Sequence, residues 1–290
     1  MKICIASDLH CEIGGYPGQT KHLKDGGDLL ILAGDITCAR YFDPDFVANP
    51  TYYIEPRKGR KVFEQLMKNW CSRFNRVFYI MGNHEHYGYV LDKSANTMRE
   101  YLNGTNVTVM DDTTIEYKDV VFHGSTMWTD YKNGDVNEMS VIRYFMNDYR
   151  QIKYMSEEDI TYVQRQNPDQ NIREGKISPY HLYQKHLATR KFLEEAVTKY
   201  KDKKNVVITH HAPTLKCQNN ARHGMELAYA YISDMDSFIE DNPQIALWVS
   251  AHTHDCHDFM IGKTRLISNQ RGYAGHERIA DNFKPIFVEV

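Results

Sequence analysis

An α/β fold with mixed β-sheets is the fold class that the sequence predicts, and three observations lead to it. Short, continuous apolar runs recur along the chain, and segments with helical periodicity separate them. Runs of this kind are typical of strands that are covered on both faces. Two other segments have the pattern of antiparallel hairpins, so we expect both strand directions in the sheets.

Five apolar runs are the predicted core strands, and each is followed by residues that can bind a metal. The runs cover residues 2–7, 28–33, 77–81, 205–209 and 246–250. The motifs that follow them are Asp8-Leu9-His10, Gly34-Asp35, Gly82-Asn83-His84-Glu85, His210-His211 and His252-Thr253-His254. Because ligands of open α/β sheets bind beyond the carboxyl ends of the strands, we expect these motifs to meet in one place.

Helices, hairpins and a last strand account for most of the remaining chain. Helical periodicity covers residues 57–74, 93–101, 179–200 and 231–241. Hairpins are predicted at residues 113–123, around Lys118-Asp119, and at residues 257–268, around Gly262-Lys263. Residues 285–290 predict the last strand.

Residues 131–178 differ from the rest because they are polar and only partly periodic. We interpret them as an insertion near the site, and two readings stay open: a lid or substrate wall, or a solvated excursion without a role. Long irregular segments in compact domains are more often functional or disordered than neutral. No repeat, low-complexity tract or linker divides the chain, so residues 1–290 are predicted to form one domain.

Composition and charge restrict the class of protein. Of the 290 residues, 42% are hydrophobic and 25% are charged, which is typical of soluble globular proteins. The net charge of −3 disfavours a broad surface for long nucleic acid, although it allows a small phosphate ester. No run reaches the ~20 apolar residues that cross a bilayer, and the N-terminus lacks the apolar core of a signal peptide. We therefore expect a cytoplasmic protein without a membrane partner, and its oligomeric state stays open.

The motifs after the strands contain seven candidate metal ligands, which are Asp8, His10, Asp35, Asn83, His210, His252 and His254. Carboxylates, imidazoles and an amide oxygen together suit Mn, Fe, Zn or Ni better than Ca or Mg, which favour all-oxygen shells. Two divalent metal ions are therefore predicted, with manganese preferred. The six cysteines form no Cys-x-x-Cys pair, and we interpret all of them, Cys11 and Cys256 included, as thiols without a disulfide.

In this order the motifs resemble those of the calcineurin-like metallophosphoesterase superfamily. Its pattern is Asp-x-His, Gly-Asp-x-x-Asp, Gly-Asn-His-Asp/Glu, a lone His and Gly-His-x-His, and the match spans Asp8 to His254. Residues 124–130 and 146–150, with Arg271-Gly272-Tyr273 in the tail, resemble a bacterial and phage branch of that superfamily. The resemblance implies a four-layer αββα sandwich, in which two mixed sheets are flanked by helices.

The resemblance also implies a role for each matching residue. One metal would be held by Asp8, His10 and His254, the other by Asn83, His210 and His252, and Asp35 would bridge them. His84 would be catalytic, because it would donate a hydrogen bond or a proton to the substrate instead of binding metal. His211, His223 and Arg271 are candidate substrate contacts, with His211 also a candidate supporting residue behind the ligands. The guanidinium of Arg271 has a shape that suits phosphate.

The implied activity is hydrolysis of a phosphate ester by a water that two metal ions activate. Phosphodiester or nucleotide substrates are favoured slightly over monoesters, so the expected partner is a small phosphate ester or a nucleotide. One alternative is a nuclease of the same fold that acts on DNA or RNA, which the acidic balance disfavours. The other alternative is a non-catalytic metal-binding scaffold, which we would expect to lack some of the ligands.

The chain departs from the superfamily pattern at two positions. Cys38 stands where the second Asp of Gly-Asp-x-x-Asp is expected, so His84 must be oriented by another group. Ala251 replaces the Gly before the last pair of histidines. Its methyl group is tolerable only if the backbone at that position avoids positive φ.

Overall fold

The computed structural model describes residues 1–14, 26–48, 55–154, 165, 175–218 and 225–290. Within these ranges the chain forms eleven strands in two sheets. The strands are β1 Lys2–Ala6, β2 Gly27–Leu32, β3 Phe74–Ile80, β4 Val107–Met110, β5 Thr113–Tyr117, β6 Val120–Ser125, β7 Lys204–Thr209, β8 Ile245–Val249, β9 Asp258–Ile261, β10 Thr264–Ile267 and β11 Ile286–Glu289. The five predicted core strands, both hairpins and the last strand are all present.

Both sheets are mixed, as predicted. The five-stranded sheet has the order β11-β1-β2-β3-β4, and β11 alone runs antiparallel to its neighbour. The six-stranded sheet has the order β5-β6-β7-β8-β10-β9, with antiparallel strands at its two edges and parallel pairs between them. Because β1, β2 and β3 are parallel neighbours, and so are β7 and β8, the motifs that follow them lie on one edge of each sheet.

Strands with apolar residues on both faces allow the two sheets to pack against each other and against helices. In β1, Ile3 and Ile5 lie in the core between the sheets, and the alternate side chains face the helices. Two helices cover the outer face of each sheet: Glu55–Asn69 and Leu91–Tyr101 on the first, Pro179–Lys199 and Asp236–Asp241 on the second. The layer order is helix, sheet, sheet, helix, which is the predicted four-layer sandwich.

Two predicted helices and one strand need correction. The first helix ends at Asn69, because a 3-10 turn at Cys71–Arg73 and then β3 follow it. The fourth begins only at Asp236, since Ile232 forms a parallel bridge with Ala212 and is therefore extended. The strand β4 was not predicted, because a run of four residues is too short to stand out by periodicity.

The described part of residues 131–178 packs its apolar side chains into a cluster that it shares with residues of neighbouring segments, among them Leu91, Trp128 and Leu182. It contains the helices Val136–Phe145 and Asp148–Gln151. Buried side chains of this segment, among them Ile142, belong to this cluster, which is separate from the sheet cores. The hydroxyl oxygens of Tyr131 and Tyr149 lie 2.6 Å apart inside it. A fully solvated excursion would not bury such a cluster, so the described part of the segment is built into the fold.

Short helical turns connect the larger elements, at Cys11–Gly14, Ala39–Phe42, Pro44–Ala48, His84–His86, Leu215–Cys217, Met225–Ala230 and Arg278–Asp281. None of the helices in the described ranges combines the length and the apolar composition that crossing a bilayer requires. All six cysteines lie in those ranges, and none of them forms a disulfide, as expected.

Candidate metal centre

The carboxyl ends of five strands meet at one edge of the sandwich, and the seven candidate ligands lie together there. β1, β2 and β3 are followed by Asp8, His10, Asp35 and Asn83, and β7 and β8 are followed by His210, His252 and His254. All seven side chains are buried. Together with His84, their His and carboxylate atoms form three groups in which the atoms lie within 4.8 Å of one another: Asp8, His10 and His254; His10, Asp35 and His84; Asp35, His210 and His252.

The two outer groups have the spacing of side chains that share a cation. In one, His254 Nε2 lies 3.2 Å from His10 Nε2 and 3.3 Å from Asp8 Oδ1. In the other, His210 Nε2 lies 3.2 Å from His252 Nδ1 and 3.1 Å from Asn83 Oδ1. Each group therefore turns nitrogen and oxygen lone pairs towards a common point.

Asp35 lies between the two groups, with one carboxylate oxygen towards each. Its Oδ1 is 3.4 Å from His210 Nε2, and its Oδ2 is 3.9 Å from His10 Nε2. His84 Nε2 is also 3.9 Å from Oδ2. A carboxylate in this position is able to contact two cations at once.

The backbone is strained at most of these residues. Five of the seven have a positive φ, which non-glycine residues adopt rarely: Asp8 at 52°, His10 at 45°, Asp35 at 54°, His252 at 71° and His254 at 54°. Such conformations cost roughly 1–3 kcal/mol each and cluster at functional sites. Ala251 is outside the left-handed region, so its methyl group is tolerated where the superfamily has Gly.

Two glycines let the motifs from different sheets approach each other. Gly34 has a φ of 92°, and a Cβ placed there would lie 2.3 Å from His210 Nδ1. A Cβ on Gly82 would lie 2.2 Å from Asp35 Oδ1. Because any side chain at either position would displace a candidate ligand, both glycines are required for the ligands to converge.

Two buried oxygen atoms of the candidate ligands lack a hydrogen-bond partner within the described residues, and a cation would satisfy them. They are the carboxylate oxygens of Asp8. The Asp8–His254 distance of 3.3 Å allows attraction between the two groups, although the geometry is not that of a hydrogen bond. A buried polar atom without a partner costs free energy, so the donor set fits bound divalent metal ions.

The pKa values of the ligands are consistent with metal binding. Burial lowers the pKa of His10 and of His210 to about 4, so both imidazoles are neutral at pH 7. Burial, with the nearby carboxylates of Glu85 and Asp8, raises the pKa of Asp35 well above its usual range, and a cation would hold Asp35 ionised. Burial alone would lower the pKa of His254, but carboxylate partners raise it to about 9, so a cation would replace a proton there.

Hydrogen bonds at the outer ring nitrogens orient three of the histidines. Nδ1 of His210 donates to the carbonyl of Ala33 at 2.9 Å. Nδ1 of His254 lies 2.6 Å from Glu277, and Nδ1 of His10 lies 3.0 Å from Glu12. These partners leave each Nε2 facing the centre of the site, which is how supporting groups orient metal-binding histidines.

Glu85 joins the loops that follow β2 and β3. Its buried carboxylate accepts hydrogen bonds from the backbone amides of Asp35, Ile36, Thr37 and Gly82, and from the hydroxyl of Tyr79. The distances are 2.7–3.3 Å. One carboxylate therefore satisfies five donors and links the backbone of residues 35–37 to that of Gly82.

Replacing Glu85 by Ala should lower the free energy of unfolding by about 3–5 kcal/mol or more, because several buried donors would lose their acceptor. Guanidinium denaturation followed by circular dichroism measures this change. Glu64→Ala is the control, because Glu64 pairs with Arg60 on the surface of a helix and should change stability little. A loss as small for Glu85 as for Glu64 would contradict the role that we assign to Glu85.

Asp148, in the insertion, fixes the orientation of the Asn83 amide. Asn83 Nδ2 donates to Asp148 Oδ1 at 2.9 Å, and the hydroxyl of Tyr87 donates to the same oxygen at 2.7 Å. A carboxylate only accepts, so the amide nitrogen must face Asp148 and the amide oxygen must face His210. The insertion thus supports a candidate ligand directly.

Asp148→Ala should weaken metal binding by roughly 10- to 100-fold while the protein stays folded, which is the usual effect of losing a group that orients a ligand. Titration of the metal-free protein with Mn²⁺ measures the affinity. Tyr87→Phe is the comparison, because it removes both hydrogen bonds of the Tyr87 hydroxyl, the one to Asp148 and the one from Asn83, and leaves the Asp148 carboxylate for Asn83. Equal metal affinity in Asp148→Ala and the wild type would show that the amide does not need this support.

His84 lies at the base of a cavity of about 170 Å³ beside the candidate ligands. Its ring stacks on Tyr87 with centroids 4.2 Å apart, and its Nε2 is 3.3 Å from the hydroxyl of Tyr273. Phe145, Met146 and Asn147, from residues 131–178, also line this cavity. The cavity thus connects the metal ligands, His84 and the insertion.

Arg271 and His211, two of the three predicted substrate contacts, do not line this cavity, and the third predicted contact is His223. Arg271 is buried, and its Nη1 donates to the carbonyl of Leu9 at 2.8 Å, so its guanidinium supports the turn after β1. His211 is buried behind the ligands, with its ring centroid 4.3 Å from that of His252. Neither residue is among those that line the cavity. His223 lies outside the described residues.

The acidic residues that support the site were given no role in the sequence analysis. Glu12, Glu85, Asp148 and Glu277 all contact a candidate ligand, His84 or the backbone beside them. Glu85 belongs to the motif Gly82-Asn83-His84-Glu85 and Glu12 lies two residues after His10, which are signals that could have identified them. Asp148 lies in residues 146–150, which resemble a branch of the superfamily, and Glu277 carries no comparable signal.

The chain is similar to known proteins in its sequence and in its fold. A family model described as calcineurin-like phosphoesterase matches residues 1–256. An uncharacterized protein of Acanthamoeba polyphaga mimivirus is 26% identical over 301 residues, which cover 96% of this chain and 92% of that protein. A crystal structure of phosphopantetheinyl hydrolase from Mycobacterium tuberculosis is similar over 100% of this chain and 95% of its own, with a TM-score of 0.59 and 16% identity. A crystal structure of a putative 5'-nucleotidase from Staphylococcus aureus is similar over 92% of this chain and 48% of its own, with a TM-score of 0.46 and 14% identity.

Proposed function

This chain belongs to the calcineurin-like phosphoesterase family, and from that premise we propose that it hydrolyses a phosphate ester with the help of two divalent metal ions. The family assignment supports a metal-dependent phosphoester hydrolase as the class of enzyme. The single observation that carries the two-metal proposal is Asp35, whose two carboxylate oxygens each face a different group of candidate ligands.

Each metal ion has a proposed set of ligands. Asp8, His10 and His254 would hold one ion, Asn83, His210 and His252 would hold the other, and Asp35 would offer one carboxylate oxygen to each. When bound, two such cations would offset the charge of a phosphate and lower the pKa of an attacking water. The mixed nitrogen and oxygen set favours Mn, Fe, Zn or Ni, and we propose Mn.

His84 acts on the substrate in this proposal. The stacking on Tyr87 and the contacts at both ring nitrogens restrict the imidazole to one orientation, with Nε2 directed towards Asp35 and the cavity. In that orientation Nε2 faces the site, and with both ring nitrogens protonated the imidazolium is able to donate a hydrogen bond from Nε2 to a phosphoryl oxygen, or a proton to the oxygen that leaves. General acid assistance of this kind is worth roughly 10²–10⁴-fold in rate.

The walls of the site favour a substrate with an aromatic part, such as a nucleotide or a phosphodiester of one. The cavity of about 170 Å³ is smaller than the usual pocket for a whole drug-sized ligand, so it accommodates little beyond the phosphoryl group. Phe145 lines this cavity and is still 58% exposed, and its ring centroid is 5.2 Å from that of Tyr144, which is 72% exposed. Exposed aromatic rings beside a phosphate site are suited to stacking with a base.

A substrate screen tests the proposal. The metal-free protein, prepared with a chelator, should hydrolyse none of the substrates, and added Mn²⁺ should restore turnover. The panel contains p-nitrophenyl phosphate, bis-p-nitrophenyl phosphate, cyclic nucleotides, dinucleotides and single-stranded DNA. Metal-loaded protein that hydrolyses none of them would refute the proposal, and preferential cleavage of single-stranded DNA would support the nuclease instead.

Phe145→Ala tests the substrate class separately. It should raise KM for a nucleotide substrate by roughly 5- to 150-fold, which corresponds to the ~1–3 kcal/mol of one base-stacking contact. KM for glycerol phosphate, which has no ring, should change little. Val136→Ala is the matched control, because Val136 lies on the same helix, is 73% exposed and is not among the residues that line the cavity. An unchanged KM for every nucleotide would exclude stacking on Phe145.

A further inference from the structure

We infer that Glu12 is the residue that positions His84, in place of the superfamily aspartate that this chain lacks at Cys38. The inference rests on the proposed function, because it concerns the group that acts on the substrate there. Glu12 lies in the short helix that follows His10, and it is far in sequence from both Cys38 and His84. It therefore reaches His84 from a different loop than the superfamily residue would.

The contacts of Glu12 are specific to two imidazoles. Its Oε1 lies 2.9 Å from His84 Nδ1 and 3.0 Å from His10 Nδ1. The Glu12 side chain is 7% exposed, and that of His84 is 8% exposed. An ionised carboxylate only accepts hydrogen bonds, so both Nδ1 atoms must donate. One oxygen of Glu12 thus fixes the protonated nitrogen of both rings.

The consequence for His84 is that Nε2 is the nitrogen directed at the cavity. With Nδ1 occupied by Glu12, Nε2 faces Asp35 and the hydroxyl of Tyr273. Without the carboxylate, Nδ1 would lose its acceptor in a buried place, and the ring would be free to flip or change tautomer. Stacking on Tyr87 restricts the plane of the ring but does not choose between its two nitrogens.

Cys38 does not replace the missing carboxylate. Its side chain is buried, and burial raises the pKa of the thiol well above its usual range, so it stays neutral. A neutral thiol is a weak hydrogen-bond acceptor. Within the described residues, the carboxylate that contacts His84 Nδ1 is that of Glu12.

The first test is spectroscopic and does not depend on turnover. Long-range ¹H–¹⁵N spectra of the zinc-loaded full chain report which imidazole nitrogen carries the proton, and the His84 signals are assigned by their loss in His84→Ala. In the wild type, Nδ1 of His84 should be protonated. In Glu12→Gln, the His84 signals should shift towards a mixture of tautomers. Glu277→Gln, which removes the equivalent contact of His254, should shift the His254 signals and leave those of His84 in place.

The second test uses kinetics at saturating metal. Glu12→Gln should lower kcat by roughly 10- to 100-fold, the range for loss of a group that orients a functional residue. If Glu12 acts through His84, Glu12→Gln should lower kcat no further in a His84→Ala background, because the two effects are not independent. A full additional loss in that background would overturn the inference, since Glu12 would then act by another route.

The two proposals fail in different ways. If the wild type hydrolyses no phosphate ester, the proposed function fails, while the spectra still decide whether Glu12 orients His84. If the wild type is active and Glu12→Gln changes neither the His84 signals nor kcat, the positioning role is wrong and the proposed function stands. Thermal denaturation of Glu12→Gln identifies a variant that has merely unfolded, and Glu12→Asp then provides a second, milder test of the same contact.

Discussion

Replacing Asp35 by Asn should abolish stable metal binding and turnover together. The amide has the same size but no charge, so it is unable to neutralise two cations or to present two equivalent oxygens to His10 and His210. We expect kcat/KM to fall by more than about 10³-fold, because loss of a single preorganised electrostatic contact already costs roughly 10²–10³-fold. Elemental analysis of the purified variant and the substrate screen measure the two effects.

The control for this prediction is Asp28→Asn. Asp28 lies at the opposite end of β2 and pairs on the surface with Lys118, with a nitrogen-to-oxygen distance of 2.6 Å. The Asp28→Asn protein should retain the metal content and the activity of the wild type. An Asp35→Asn protein that keeps two equivalents of metal and turns over at the wild-type rate would show that the bridging position is misassigned.

Replacing His84 by Ala should leave metal binding intact and lower kcat by roughly 10²–10⁴-fold, the usual contribution of a general acid or base. The measurement matters because His84 is close enough to His10 and Asp35 to form a third group of candidate ligands. Two equivalents of bound metal in the inactive variant would support a role on the substrate. Loss of one equivalent would instead make His84 a ligand.

A histidine away from the cavity is the control for the His84 variant. The ring of His181 stacks on Tyr154 with centroids 4.1 Å apart, at the start of the helix Pro179–Lys199. His181→Ala removes an imidazole without touching the site, so metal content and kcat should match the wild type. The comparison separates the loss of His84 from a general effect of histidine removal on preparation or metal loading.

Much of the site could be predicted because its residues follow strands that are recognisable in the sequence. The apolar runs before Asp8, Asp35 and His210 are long enough to identify strands. The position of a polar residue directly after such a run is therefore easy to recognise in the sequence. The local sequence pattern predicted the helix boundaries less well than the strands. Ile232 has apolar neighbours at helical spacing, but its bridge to Ala212 makes it extended, and that partner lies far away in the sequence.

The sequence by itself determined that the sheets are mixed, that the motifs gather at one edge, and which chemical types of side chain lie there, and the family resemblance implied that the sheets are two. Periodicity and motif order are properties of the sequence itself, so they can be recognised before the structure is known. The tertiary structure alone decided that Asp148 orients Asn83, that Glu85 joins two loops, and that Glu12 contacts both His10 and His84. The Asn83–Asp148 contact spans 65 residues and the Glu12–His84 contact spans 72. Contacts of that kind depend on how distant loops pack against each other. No local pattern encodes the distance between a carboxylate in one loop and an amide or imidazole in another.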